Sequence, residues 1–385
     1  MVLSKRERVI RALELNDEPD IVPIHNLGFE PTSASYQNFL QSEEIKELET
    51  KVKNDVLKRT FDITEQRFWN ADLHNVNPFN VLRVYMKKPP PEYPDHGIDI
   101  FSGRLFKLVK QVETDLTYHW YIDGYFTTPE ILHSYWDKYG KPSEIVSKRA
   151  RISKQAFDAY VESVSPYFYP MFDLPIALHE NMFEGMTIVK AAYYMRKNPH
   201  FIHEIMKEFT KANVEIIKQY AEVGAEIVFY YDDLGYKGHS IFSIDNFREF
   251  ILPYYKEMYQ ACKKYGMFIV QHSCGYIDKL LPYMVDAGLN GIQALEPAAH
   301  VDLAHLKETL GDRVCFMGGI DASNILNFGT PKNVEEEVKR CIKAAASGGG
   351  YFAGPSHNIL NVPWENVLAL RAAIEKYRKY PLKIS

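Results

Sequence analysis

The sequence predicts an α/β fold, a (β/α)8 TIM barrel, on three observations. Short apolar runs alternate with amphipathic stretches through the second half of the chain. Glycines 224, 266, 288 and 311 fall where each helix should stop before the next strand. Potential ligands, acids or bases follow one strand after another, as they do at the C-terminal mouth of such a barrel. Repeated β-α units imply a parallel sheet with right-handed crossovers. With 385 residues and 46% hydrophobic composition, the chain can bury a large core as one domain, 1–385.

A helix is expected over 4–15, a first strand over 20–25 and a second helix over 43–58. Residues about 60–125 are rich in aromatics, proline and polar residues, with Pro89-Pro90-Pro91 as a rigid break. They read as an insertion capping the barrel, with a hairpin or meander over 98–123 that includes 109–112 and 117–122. Strands follow at 173–178, 226–231, 267–271, 291–295, 314–317 and 351–353. Helices fit at 199–223, 244–265, 276–287, 303–310 and 331–346. The net charge of −5, with no block of Lys or Arg, argues against nucleic acid. The N-terminus lacks the apolar core of a signal peptide, and no stretch approaches the roughly 20 apolar residues of a membrane span, so a soluble, cytoplasmic protein is expected. No G-x-G-x-x-G follows a strand, which leaves a dinucleotide site unsupported.

His272-Ser-Cys-Gly275 ends the strand 267–271. Residues two apart on a strand share a face, so the imidazole and the thiol stand side by side. One nitrogen and one soft sulfur are half of a zinc site. His357 is the best third ligand, with Glu296, Cys315 and Asp233 as rivals. Cys262 and Cys341 sit in helical patterns and read as packing residues. Tyr231-Asp232-Asp233 places two carboxylates on opposite faces, so one reaches the pocket and the other caps or pairs. Asp233 and Glu296 are the expected catalytic groups, and His25, Tyr231, Asp232 and Asp321 the expected substrate contacts.

These landmarks resemble the uroporphyrinogen decarboxylase superfamily: Tyr231-Asp-Asp-Leu-Gly235, His272-Ser-Cys-Gly275, Met317-Gly-Gly-Ile-Asp321, Gly354-Pro-Ser-His-Asn-Ile359 and Pro363-Trp-Glu-Asn366. The resemblance is strongest from about Pro175 onward and implies a TIM barrel. Decarboxylases of the family carry an arginine-rich segment after the first strand to hold porphyrinogen carboxylates. Here that segment is Val22-Pro-Ile-His-Asn-Leu-Gly-Phe-Glu30, without arginine. The other branch, zinc-dependent methyltransferases working with corrinoid proteins, shares the H-x-C-G motif. It implies zinc on His272 and Cys274, and a third ligand near the end of the last strand, where this chain has His357 in place of the usual Cys. It also implies a corrinoid carried by a separate partner protein. The 26 Tyr and 22 Phe, with the run 165–172, suggest a slot for a planar ring. The expected reaction is transfer of methyl from a methoxylated, aromatic compound to the Co(I) corrinoid of the partner. The alternatives are a methylcorrinoid:thiol (coenzyme M) or pterin methyltransferase, and a decarboxylase.

Overall fold

The computed structural model describes residues 2–46, 60–77, 93–110, 117–148 and 151–384. In chain order the strands are β1 (Leu73–Val76), β2 (Gly97–Ile98), β3 (Arg104–Lys110), β4 (Thr117–Gly124), β5 (Tyr169–Leu174), β6 (Ile227–Tyr231), β7 (Gly235–Tyr236), β8 (His239–Ser240), β9 (Phe268–Ser273), β10 (Gly291–Ala294), β11 (Cys315–Gly318) and β12 (Tyr351–Phe352). β1, β5, β6, β9, β10, β11 and β12 pair in that order, all parallel. The first strand is reduced to bridges: Ile24 pairs with Ala353 and His25 with Leu73. Those bridges close the sheet into a barrel. Pro23 has no N–H to give, and it accepts from Ala353 N at 2.8 Å instead.

Strand alternation divides the core in two. Leu73, Tyr169, Met171, Ile227, Phe229, Val270, Cys315, Met317 and Phe352 point inward and fill the barrel. Val9, Ala12 and Leu13, one face of the helix Lys5–Glu14, join them. That helix starts at a capping box between Ser4 and Glu7 and plugs the end where the strands begin. The outward-facing residues pack under the surrounding helices, the longest being Pro199–Val223. No helix among the described residues is long and apolar enough to cross a membrane.

The barrel follows the expected rhythm with local differences, among them a helix that begins at Leu281 against an expected start at 276. The strand expected at 173–178 lies four residues earlier, as β5. Pro170 sits inside it, and a proline withholds a ladder donor, so the run reads as irregular. β1 falls inside the segment expected as an insertion, because Leu-His-Asn-Val carries too little apolar character to announce a strand. The expected meander over 98–123 appears as the antiparallel sheet β2-β3-β4, which packs on the helix Leu178–Met186. The helix expected at 244–265 divides into Ile244–Phe250 and Leu252–Lys264 at Pro253. The helix expected at 43–58 is present over 43–46, and the rest of it, with Pro89-Pro90-Pro91, lies outside the described residues.

One buried charge cluster ties both ends of the chain to the barrel. Asp72 is 1% exposed and accepts from Arg8 Nη1 at 2.6 Å, from Arg378 Nη2 and from Ile24 N at 2.9 Å. Arg8 also grips Asp20 at 2.7 and 2.9 Å. Removing one partner from such a cluster leaves buried charge uncompensated. Asp72→Ala should therefore lower the unfolding free energy by about 3–5 kcal/mol in urea titrations. A loss below about 1 kcal/mol would mean the guanidinium groups are hydrated without it.

Candidate metal centre

The inward series on β6 and β9 continues past the end of the sheet. Ile227, Phe229 and Tyr231 are followed by Asp233, and Val270 and His272 by Cys274. Among the described residues, Asp233, His272 and Cys274 place ligand atoms within 4.8 Å of one another. His272 Nε2 lies 3.1 Å from Cys274 Sγ and 3.4 Å from Asp233 Oδ1. Cys274 N donates to Asp233 Oδ1 at 2.8 Å. Two glycines let the loops cross: a Cβ on Gly235 would stand 2.4 Å from the Gly275 carbonyl carbon, and Gly275 has φ of 77°. Glu296 stands beside them. It accepts from Gly275 N at 3.1 Å and from Ser323 Oγ at 3.3 Å. Ala294 and Leu295 reach it through φ values of 105° and 56°, backbone strain of the kind that collects at functional sites.

Below the trio, His272 Nδ1 is hydrogen-bonded to Gln293 Oε1. With its proton donated there, Nε2 keeps its lone pair toward Cys274 and Asp233, the arrangement a metal-binding histidine needs. Burial, opposed by Asp233, pushes the His272 pKa down. Burial and then Asp233 and Glu296 push the Cys274 thiol up. The bare site thus keeps its imidazole neutral and its thiol protonated. A divalent cation would reverse the second effect, because it stabilises the thiolate that the carboxylates oppose. One nitrogen, one sulfur and one oxygen, gathered from adjacent strand ends, fit a borderline-soft cation.

The other expected site residues are distributed as follows. His357 stands at the rim, its ring centre 6.2 Å from that of His272, and Asp233 rather than His357 completes the compact trio. Cys315 is fully buried in the barrel interior, at the level of Gly291. His25 is 1% exposed, with its ring centre 5.8 Å from that of Phe229. Tyr231 bonds Asn75 and Asp173 across the barrel. Asp321 does not face the pocket: it accepts from Ser323 N, Asn324 N and Asn324 Nδ2 and shapes the turn after β11. Asp232 is turned outward and fully buried. It ion-pairs with His179 Nδ1 at 2.8 Å and accepts from the hydroxyls of Tyr230 and Tyr255 and from the backbone N–H groups of Leu178, His179 and Glu180. It caps the helix Leu178–Met186 from a neighbouring strand, which places it out of reach of a substrate. The aromatic run 165–172 forms no slot: Phe168 is buried against His74, and Phe172 against Phe157, Tyr160 and Tyr220. Gln293 was not anticipated, although a lone amide in Gly291-Ile-Gln-Ala294 is a legible signal of an inward polar residue.

The Asp232–His179 pair carries a pH signature. Burial is the largest single effect on each and opposes its charge, but the partner's attraction and the surrounding hydrogen bonds together outweigh it, so the Asp232 pKa is lowered and the His179 pKa raised. The Asp232 contribution is lost as pH falls through its folded pKa, below 3.8, and that of His179 as pH rises through its folded pKa, above 6.5. Wild type should therefore exceed Asp232→Asn in unfolding free energy most between those two values, with the gap narrowing on either side. A gap independent of pH would contradict the pairing.

Residues 174–377 match the family described as uroporphyrinogen decarboxylase (URO-D). Among curated proteins, the chain is 26% identical over 143 residues to the methylated-thiol–coenzyme M methyltransferase of Methanosarcina mazei, covering 37% of this chain and 35% of that protein. It is 29% identical over 138 residues to the methylcobamide:CoM methyltransferase of Methanosarcina barkeri, covering 36% and 38%. It is 31% identical over 128 residues to the uroporphyrinogen decarboxylase of Chlorobium phaeovibrioides, covering 31% and 34%. The chain thus spans about a third of the length of these relatives. A solved methyltransferase from Methanosarcina mazei superposes with a TM-score of 0.67 at 17% identity, over 97% of this chain and 99% of that one, which is a likeness of fold. Since the family match covers more than half of the sequence, including β6 and β9 with the three donors above them, the protein belongs to the uroporphyrinogen decarboxylase (URO-D) family.

Proposed function

We propose that this protein is a zinc-dependent methyltransferase that moves a methyl group from the corrinoid of a partner protein to a small thiol, the class to which coenzyme M belongs. The observation that carries this reading is the trio of Asp233, His272 and Cys274 at the barrel mouth. Two relatives named as coenzyme M methyltransferases support it. Demethylation of a methoxyarene, the direction the sequence favoured on its aromatic residues, loses one of its supports with the run 165–172 packed into the core, and none of the relatives reported above is named for it. Decarboxylation of a porphyrinogen needs cations for the substrate's carboxylates. The described residues lining the cavities at the mouth include Asp99, Asp173, Glu184 and Glu296, with Arg104 bonded to Glu184 at 3.0 Å and Lys237 the other cation.

A zinc ion held by Asp233, His272 and Cys274 would supply the charge that keeps a substrate sulfur ionised at neutral pH. The protein's own groups do the rest. Gln293 fixes the tautomer and orientation of His272. The Cys274 N–H holds Asp233 in place. Glu296, beside Cys274 in a cavity also lined by Lys237, Ser323 and Asn324, is placed to take the proton that the thiol loses. His357 stands beside the trio, its ring centre 6.2 Å from that of His272.

Methyl transfer from methylcobalamin to a thiol, with zinc content measured in parallel, tests the reading. Cys274→Ala should release zinc and abolish transfer. Gln293→Leu should lower zinc affinity or rate about 10–100-fold, the usual cost of losing a group that orients a ligand. His357→Ala should keep its zinc. Full zinc occupancy in Cys274→Ala, or methyl transfer from methoxybenzoates with none to thiols, would overturn the assignment.

A further inference from the structure

Asp233 stands just beyond the end of β6, and the residues around it are tied to the end of β9. Asp232 N donates to the His272 carbonyl at 3.2 Å, Leu234 N to Ser273 Oγ at 2.9 Å and Gly235 N to the Cys274 carbonyl at 3.1 Å. The Asp233 carbonyl is met from another direction, by His179 Nε2 at 2.7 Å. A carbonyl oxygen only accepts, so that nitrogen carries a proton. On the other side of the same ring, Nδ1 faces Asp232 Oδ1 at 2.8 Å. One imidazole thus spans the peptide of the ligand-bearing residue and the carboxylate of the residue before it.

The ring is closely fitted. His179 is 0% exposed and lies in the first turn of the helix Leu178–Met186. Its own N–H, with those of Leu178 and Glu180, is anchored on Asp232. Phe183 and Phe242 flank the imidazole, with ring centres 5.4 and 5.2 Å away at interplanar angles of 77° and 86°. Two aromatic walls and two polar partners fix where Nε2 points. A metal ligand works only if it is held within about 0.5 Å of its place by groups that are themselves locked. Cys274 N holds Asp233 from the carboxylate end, at 2.8 Å from Oδ1. His179 holds the same residue from the backbone end.

We propose that His179 is a positioning residue for the metal centre: by holding the Asp233 carbonyl through Nε2, it sets the reach of the Asp233 carboxylate and with it the affinity and geometry of the metal site. The inference rests on the zinc-dependent reading above and is independent of the direction of methyl transfer. It gives one ring two separable tasks. Nδ1 serves the fold through Asp232, and Nε2 serves the site through Asp233.

Two substitutions divide those tasks. A glutamine amide can place its nitrogen near the Nε2 of the imidazole it replaces, and an asparagine amide near Nδ1. His179→Gln should keep the bond to the Asp233 carbonyl and lose the contact with Asp232, and His179→Asn should do the reverse. Metal binding is read without substrate, by titrating metal-stripped protein with Co²⁺ or Zn²⁺ alone. His179→Asn should bind either ion about 10- to 100-fold more weakly than wild type, the usual cost of losing a group that orients a ligand. Its Co²⁺ d–d bands should shift, while the thiolate charge-transfer band from Cys274 remains. His179→Gln should bind metal close to wild type, yet unfold at lower urea than His179→Asn. A residue serving only the fold would make metal affinity follow stability, with the glutamine variant the weaker binder. That order, or wild-type affinity and spectrum in His179→Asn, would overturn the inference. Where neither variant folds, Phe242→Leu keeps the imidazole and both its partners and removes one wall. Weaker Co²⁺ binding is then expected, and unchanged binding and spectrum would overturn the inference equally. If metal binding follows the expected order but methylcobalamin donates to no thiol, the methyltransferase reading fails and the positioning role stands.

Discussion

Asp232, a carboxylate that solvent does not reach, holds the rim of this barrel. The ion-paired ring of His179 and three backbone N–H groups of the helix Leu178–Met186 converge on it, with the hydroxyls of Tyr230 on the strand before it and of Tyr255 on a helix behind. Neighbouring residues of an extended chain face opposite ways. Fixing Asp232 outward fixes Asp233 inward, toward His272 and Cys274. It also anchors the first turn of a helix whose far side supports the β3–β4 sheet over the mouth. The geometry of the trio and the roof of the adjoining cavity therefore depend on one residue that touches neither.

Charge then sets what the mouth can hold. Burial, reinforced by Asp233 and Glu296, keeps the Cys274 thiol protonated. His272 is too buried to supply a compensating positive charge. A site of this kind is poorly balanced until a dication enters, which couples metal binding to loss of the thiol proton.

Much of this was legible in the chain. The strand-helix rhythm gave the barrel, and the i, i+2 spacing of His272 and Cys274 gave the core of the site, because both depend on local periodicity. The opposed directions of Asp232 and Asp233 were also legible, but which one faced the pocket was not. That choice was made by partners distant in sequence, Tyr255 at 23 residues and His179 at 53 among them. The same limit explains His357. A strand-end histidine satisfies the pattern of a third ligand, but register and loop path, which spacing does not record, put Asp233 nearer. β1 was hidden by its polar inward residue Asn75. The aromatic run 165–172 misled for a complementary reason: abundance of rings marks the core more often than a slot, and most of these rings pack between the barrel and its helices.

The central claim is that one nitrogen, one sulfur and one oxygen from this chain surround a zinc ion. X-ray absorption at the zinc edge reads that directly. The account predicts a single protein sulfur in the first shell, with nitrogen and oxygen donors, and a second sulfur on adding a thiol. A shell without sulfur, or one unchanged by saturating thiol, would contradict it.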